Sequence, residues 1–285
     1  MRVRNTGGRR AAARRVVAAS LAAGALVGTA GCGLTGGPEE TPSPAGSSSA
    51  AALPQGDEPF ELDPASLTTE INNEYWPMEP GTQWVYQETD EQGQELRVVV
   101  TVTSETKEIA NGATARVVRD TVTRQGDVVE DTFDWYAQDP DGTVWYLGED
   151  TAEFENGRVT TTEGSFEAGR DGALAGVIVP GDPAVGQAYR QEFYVGQAED
   201  NGAVLSLDEQ AEVPAAHYDR ALLTKDTSTI EPDVLEYKLY APGVGPVLTL
   251  GVSGGAGREE LLEVGMIPAG VATAAGTTPL GEPYE

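Results

Sequence analysis

From residue 82 onward, apolar and polar positions alternate in short runs, and no stretch there holds a convincing helical spacing. Leu96, Val98, Val100 and Val102 alternate with Arg97, Thr101 and Thr103, with Val99 as the exception. That period of two marks a half-buried strand. Turn signals separate such runs at Gln92-Gly93, Asn111-Gly112, Gln125-Gly126-Asp127, Asp139-Pro140-Asp141-Gly142, Asn156-Gly157, Asn201-Gly202, Pro242-Gly243 and Gly254-Gly255. Gly, Asn and Asp tolerate the positive φ that tight hairpins require. The pattern predicts strands at approximately 82–89, 95–106, 113–124, 128–138, 143–150, 158–166, 187–196, 203–213, 217–228, 234–241, 245–252 and 258–265.

Consecutive hairpins without intervening helices predict an all-β fold, an antiparallel meander of about 10–12 strands. So many strands curl, so the expected form is a strongly curved sheet or open barrel. Gly and Pro between residues 168 and 186 suggest a long crossing loop. One short N-terminal helix is expected where Asp63 can cap, Pro64 suits the first turn, and Leu67 and Ile71 share a face.

The chain begins differently. Residues 1–31 carry six arginines and no acid, and an apolar run of small residues follows from Val16 to Ala30. A basic start, a short apolar stretch and small residues before a possible cleavage point read as a secretory signal peptide. It ends in Thr29-Ala30-Gly31-Cys32, which resembles the lipobox of bacterial lipoproteins, with Thr29 where leucine is usual. That resemblance implies cleavage after Gly31 and a lipid anchor on Cys32, holding the protein on the extracytoplasmic face of the cell membrane. Arg14-Arg15 leaves the general and twin-arginine routes both open. The expected organisation is a signal peptide at 1–31, a lipidated Cys and disordered tether at 32–58, a β-meander domain at 59–265 and a flexible tail at 266–285. The tether assignment rests on its Gly, Pro, Ser, Ala and Thr content, which cannot bury enough apolar surface to order itself.

Composition narrows the functions available. The 285-residue chain has 18 Lys and Arg, 46 Asp and Glu, one His and one Cys, for a formal charge of −28. Without the six signal-peptide arginines the charge is −34, and −25 of it lies within residues 73–265. Such acidity argues against nucleic-acid binding and against docking on anionic lipid. It leaves cationic or neutral partners. A single Cys excludes an internal disulfide and Cys-rich zinc sites, and a single His excludes sites built on several imidazoles. No cofactor, metal site or catalytic residue is expected.

Several segments resemble an uncharacterised family of secreted and lipid-anchored bacterial β-rich proteins. They include Tyr75-Trp76-Pro77, Pro80-Gly81-Thr82-Gln83-Trp84, Asp131-Thr132-Phe133-Asp134-Trp135-Tyr136-Ala137-Gln138-Asp139 and Ala241-Pro242-Gly243-Val244-Gly245. The resemblance implies location and fold and brings no activity with it.

The aromatic hairpin around residue 140 is the best candidate site. With Asp139–Gly142 as a four-residue loop, Tyr136 falls opposite Trp145 and Trp135 opposite Tyr146. Phe133, Trp135, Ala137, Val144 and Tyr146 would then form a core face. Tyr136 and Trp145 would sit on a mixed face, able to stack a sugar ring, line a ligand cleft or simply pack across strands. Ten acids and no base lie between Arg124 and Arg158, a stretch that suits either Ca²⁺ or a solvated face and lacks EF-hand spacing. Gly251-Val252-Ser253-Gly254-Gly255 matches G-x-S-x-G, but His217 precedes Ser253 and no His follows, so it reads as a turn. The functional expectation is a non-enzymatic binding module for an apolar or amphipathic small ligand or a protein partner. A carbohydrate- or calcium-dependent recognition module is the alternative, and a hydrolase a third.

Overall fold

The computed structural model describes residues 52–90, 92–254 and 257–284. Cys32, the signal peptide and most of the tether lie outside these residues. The strands are β1 (Thr82–Thr89), β2 (Glu95–Glu108), β3 (Thr114–Arg124), β4 (Asp127–Gln138), β5 (Val144–Glu155), β6 (Arg158–Thr161) and β7 (Phe166–Glu167). They continue with β8 (Gly176–Val179), β9 (Ala188–Arg190), β10 (Asp200–Val213), β11 (Ala216–Ser228), β12 (Leu235–Ala241), β13 (Gly245–Ser253) and β14 (Arg258–Met266), before helix α1 (Ala269–Thr277).

All fourteen strands belong to one curled, unclosed antiparallel sheet, in the order β6-β5-β4-β3-β2-β1-β14-β13-β12-β11-β10-β9, with β7 and β8 paired to β5. It is a meander in two arms, joined where β1 pairs with β14. The turn chemistry explains the hairpin positions. Gln125 and Gly126, with φ of 55° and 91°, are the two residues between β3 and β4. This is the positive-φ pair that a tight hairpin demands.

Alternation along β2–β4 feeds two apolar clusters, one on each side of this arm. Val98, Val102, Val118, Val122 and Tyr136 enter the first with Trp84, Leu239 and Leu261. Ala115, Val117, Trp135 and Ala137 enter the second with Trp145, Val177 and Tyr189. Thr101 and Thr103, expected on a solvated face, are buried. The cause is α1, which packs on that side of β2 so closely that Gly276 has no room for a Cβ beside Thr103.

Four expectations need correction. Residues 266–285 are not a flexible tail through the described part, because α1 and the segment after it are docked on β2 and β3. The N-terminal helix is only a 3-10 turn, Pro64–Ser66: Asp63 caps it through the Ala65 amide at 3.1 Å, but Leu67 is already extended. Ile71 instead forms a bridge to Met78. The 168–186 crossing does run between the arms, but it contains β8, which pairs with β5. The tether also ends earlier than 58, since the Arg190 guanidinium donates to the carbonyls of Gly56 at 3.0 Å and Glu58 at 2.6 Å.

The two ends of the sheet meet at a seam without a continuous ladder. Leu174 N donates to Phe193 O at 2.8 Å, and Arg190 Nε donates to Ala175 O at 2.9 Å. Gly176 lies so close to the Gln191 carbonyl that any side chain there would collide with it.

Candidate functional site

The aromatic hairpin differs from its expected register by one residue. The loop runs from Asp139 to Thr143, between β4 and β5. Asp139 shapes it, its Oδ1 accepting from the amides of Asp141 at 3.0 Å and Thr143 at 2.9 Å. Tyr136 therefore pairs with Tyr146 and Ala137 with Trp145. A slip of one residue moves each side chain to the opposite face. Tyr136 stacks on Tyr146, with centroids 5.0 Å apart, in the first cluster. Trp145 belongs to the second, covered by Phe60 at 5.1 Å, and its Nε1 donates to Asp139 Oδ2 at 2.9 Å. Tyr136 and Trp145 are 6% and 1% exposed on opposite faces, so the structure does not bring them together as one platform.

What the structure does bring together is a set of acids at the seam. Tyr146 Oη lies 2.7 Å from Asp134 Oδ1 on β4 and 2.7 Å from Glu149 Oε2 on β5. Glu149 is 5% exposed, and its other oxygen has no hydrogen-bond partner. Glu192, just past β9, and Asp200, at the start of β10, face this pair within electrostatic range. One oxygen of Glu192 is likewise buried without a partner. Backbone geometry fixes the approach, since Asp200 O accepts from the amides of Gln191 at 2.7 Å and Glu192 at 3.2 Å.

Burial is the main force on these groups. It pushes the carboxyls of Glu149 and Glu192 well above the usual carboxylate range, and neighbouring acids push the same way. Burial, opposed by Ser228 and Lys238 and aided by Asp226 and Glu236, raises Asp200 to about 7. The phenols of Tyr136 and Tyr146 are also raised, by burial first and then by Asp134 and Glu149. Behind Asp200, Asp226 is better provided: Lys238 Nζ lies 2.9 Å away, Thr224 donates at 2.9 Å and Gln191 at 3.2 Å.

The remaining candidates stay apart from this cluster. His217 is exposed on β11, with Nδ1 2.8 Å from Glu212 and Nε2 3.2 Å from Asp219; these contacts raise its pKa. Ser253 is exposed at the end of β13, and its hydroxyl donates to the Asp233 carbonyl at 2.7 Å, as a turn residue does. Among the described residues, no group of three or more His, Cys, Asp or Glu is arranged to hold a metal ion. No helix among them is long and apolar enough to cross a membrane.

Single-residue chemistry could not have identified the seam. Asp134 and Glu149 are two of ten acids in one stretch, and Glu192 and Asp200 lie on the far side of the crossing segment.

No family model and no curated protein matches the chain. A crystal structure of a proposed lipoprotein from Parabacteroides distasonis is similar at 14% identity, covering 68% of this chain and 99% of that one, with a TM-score of 0.37. An overlap that loose transfers neither a site nor an activity.

Proposed function

We propose that this chain is a lipid-anchored, extracytoplasmic envelope protein whose β domain is a non-enzymatic binding module for a protein partner. The anchor is Cys32, the only cysteine, placed directly after a signal-like segment. Of the two occupants the sequence leaves open, the enclosure of the large apolar side chains favours the protein partner over an apolar small ligand. Met78, Trp84, Val98, Val102, Val118 and Leu261 are each at most 1% exposed among one another. Side chains so enclosed offer a lipid-like guest no surface of their own. The charge of −34 from Cys32 onward suits a cationic or neutral partner surface.

Two measurements test this. Metabolic labelling with an acyl analogue should mark the full chain, and Cys32→Ala should abolish the label and release the protein from membranes. Solvent extraction of the delipidated protein followed by mass spectrometry should then find no stoichiometric non-covalent ligand. A bound lipid at one per chain would overturn the protein-partner reading and leave the anchor intact. Label surviving in Cys32→Ala would overturn the anchor.

A further inference from the structure

Three Asn-Gly pairs stand among the turn signals of the chain, at Asn111-Gly112, Asn156-Gly157 and Asn201-Gly202. Such a pair carries a chemistry of its own. The glycine nitrogen can attack the carbonyl carbon of the asparagine side chain, closing a five-membered ring and expelling ammonia. Glycine permits the attack because no Cβ crowds its nitrogen and its backbone turns freely. Whether the reaction runs depends on how readily the two groups reach contact geometry. The fold treats the three pairs differently.

Two of the pairs are held. Asn111 Oδ1 accepts from the Ala113 amide at 3.0 Å, and the Gly112 nitrogen donates to the Ile109 carbonyl at 2.8 Å. Gly169 packs against the Asn111 backbone with no room for a Cβ between them. Asn201 donates its side-chain amide to the Glu199 carbonyl at 3.2 Å and to Thr229 Oγ1 at 3.1 Å. Gly202 lies inside the ladder, between Tyr189 on β9 and Asp226 on β11, with the Tyr189 ring where a Cβ would stand. Asn156 and Gly157 instead form the two-residue tip between β5 and β6. Both are exposed, with φ of 53° and 70°, and a Cβ on Gly157 would meet open space. Among the described residues, neither the Asn156 side chain nor the Gly157 nitrogen is in a hydrogen bond. Left-handed backbone is strained for a residue with a side chain, so only the turn itself opposes rotation of Asn156 toward the attack geometry.

We propose that Asn156 is a self-modification site: the Gly157 nitrogen attacks Asn156 Cγ, and the chain converts there to aspartate and isoaspartate while Asn111 and Asn201 persist. In the first step the N–Cγ bond forms and the bond from Cγ to the side-chain nitrogen breaks. That nitrogen leaves as ammonia, taking up the proton released by the Gly157 amide. Water then opens the cyclic imide at either carbonyl, so in sum asparagine and water give acid and ammonia. Both products add a negative charge beside Glu155. Isoaspartate also adds a methylene to the main chain, which a two-residue turn cannot absorb in register. The Glu155–Arg158 pairing beside the tip is the first to suffer, and β6 is the end strand of the sheet order. The modification therefore loosens β6 as the protein ages and leaves β4 and β5 paired. It acts whatever the domain binds.

The test is peptide mapping by mass spectrometry of the full chain aged in mildly alkaline buffer, both native and in urea. Asn156 should convert first. Releasing either held pair breaks two hydrogen bonds of ordinary strength, so Asn111 and Asn201 should lag by about tenfold or more. In urea, where the fold no longer distinguishes the pairs, the three rates should converge. Gly157→Ala crowds the attacking nitrogen and should slow conversion of Asn156 by roughly tenfold. Amide exchange of the aged protein should show protection lost across Arg158–Thr161 and kept in β4. Asn111 or Asn201 converting as fast as Asn156 in the native chain would overturn the site, as would Asn156 converting only in urea. A Gly157→Ala chain ageing at the wild-type rate would overturn the cyclic route. Unchanged β6 protection in fully converted protein would overturn the loosening.

Discussion

On the outer side of β3 and β4 a buried guanidinium and carboxylate share a full set of hydrogen bonds, whereas at the seam Glu149 and Glu192 each bury one oxygen without a hydrogen-bond partner. Arg119 is fully buried, and its Nε donates to Asp131 Oδ1 at 3.0 Å. Its Nη atoms donate to the carbonyls of Ala275 at 3.0 Å, Thr278 at 3.1 Å and Pro279 at 3.1 Å, closing the C-terminal end of α1. Tyr284 covers the guanidinium at 4.4 Å, and Asp131 also accepts from Thr121 at 2.8 Å and Gly281 at 2.7 Å. This latch meets its desolvation cost with a full set of hydrogen bonds and needs no outside proton. At the seam, burial pushes the Glu149 and Glu192 carboxyls well above the usual carboxylate range, so their contribution to stability declines as pH rises. The two sites show how one acidic chain builds both a fixed joint and a titratable one.

The latch should show the largest effect. Arg119→Met leaves Asp131 buried and unpaired, and should cost about 3–5 kcal/mol in denaturant unfolding. It should also expose α1 to proteolysis. Adding Asp131→Leu to it should recover part of the loss, since removing both charges is milder than stranding one. At the seam, Tyr146→Phe removes the bridging hydroxyl and should cost about 1.5–3 kcal/mol near neutral pH. Urea midpoints measured at several pH values should separate it from the latch variant by a steeper pH profile than Arg119→Met shows. Gly176→Ala forces the backbone away from Gln191 and should cost roughly 1–3 kcal/mol. Its exchange losses should concentrate at Leu174. Trp145→Phe, which loses the bond to Asp139 and part of the buried ring beneath Phe60, should cost about 1–2.5 kcal/mol and leave both joints unchanged.

The strands were legible because their turns were. Gln125-Gly126 and Asn156-Gly157 mark hairpins whose first residues adopt φ of 55° and 53°, and the strands beside them begin within a residue or two of the expected places. β8 was hidden because Gly176–Val179 pairs with β5 across a long sequence separation and lies among Gly and Pro. The aromatic register slipped because Asp139 gathers two amides and lengthens the loop by one residue, a detail of side-chain bonding that alternation cannot reveal. α1 was missed for a compositional reason: Ala272 and Ala275 are its buried residues, and so small a contact face gives little periodic signal. The seam acids are spread over residues 134–200, so only the tertiary fold shows that they meet.

The most direct measurement is a carboxyl-resolved NMR titration of the wild-type domain in the intact chain. Burial at the seam predicts a midpoint for Asp200 near 7 and one for Glu149 well above ordinary glutamate. Titration of both groups near the ordinary value of about 4 would contradict it.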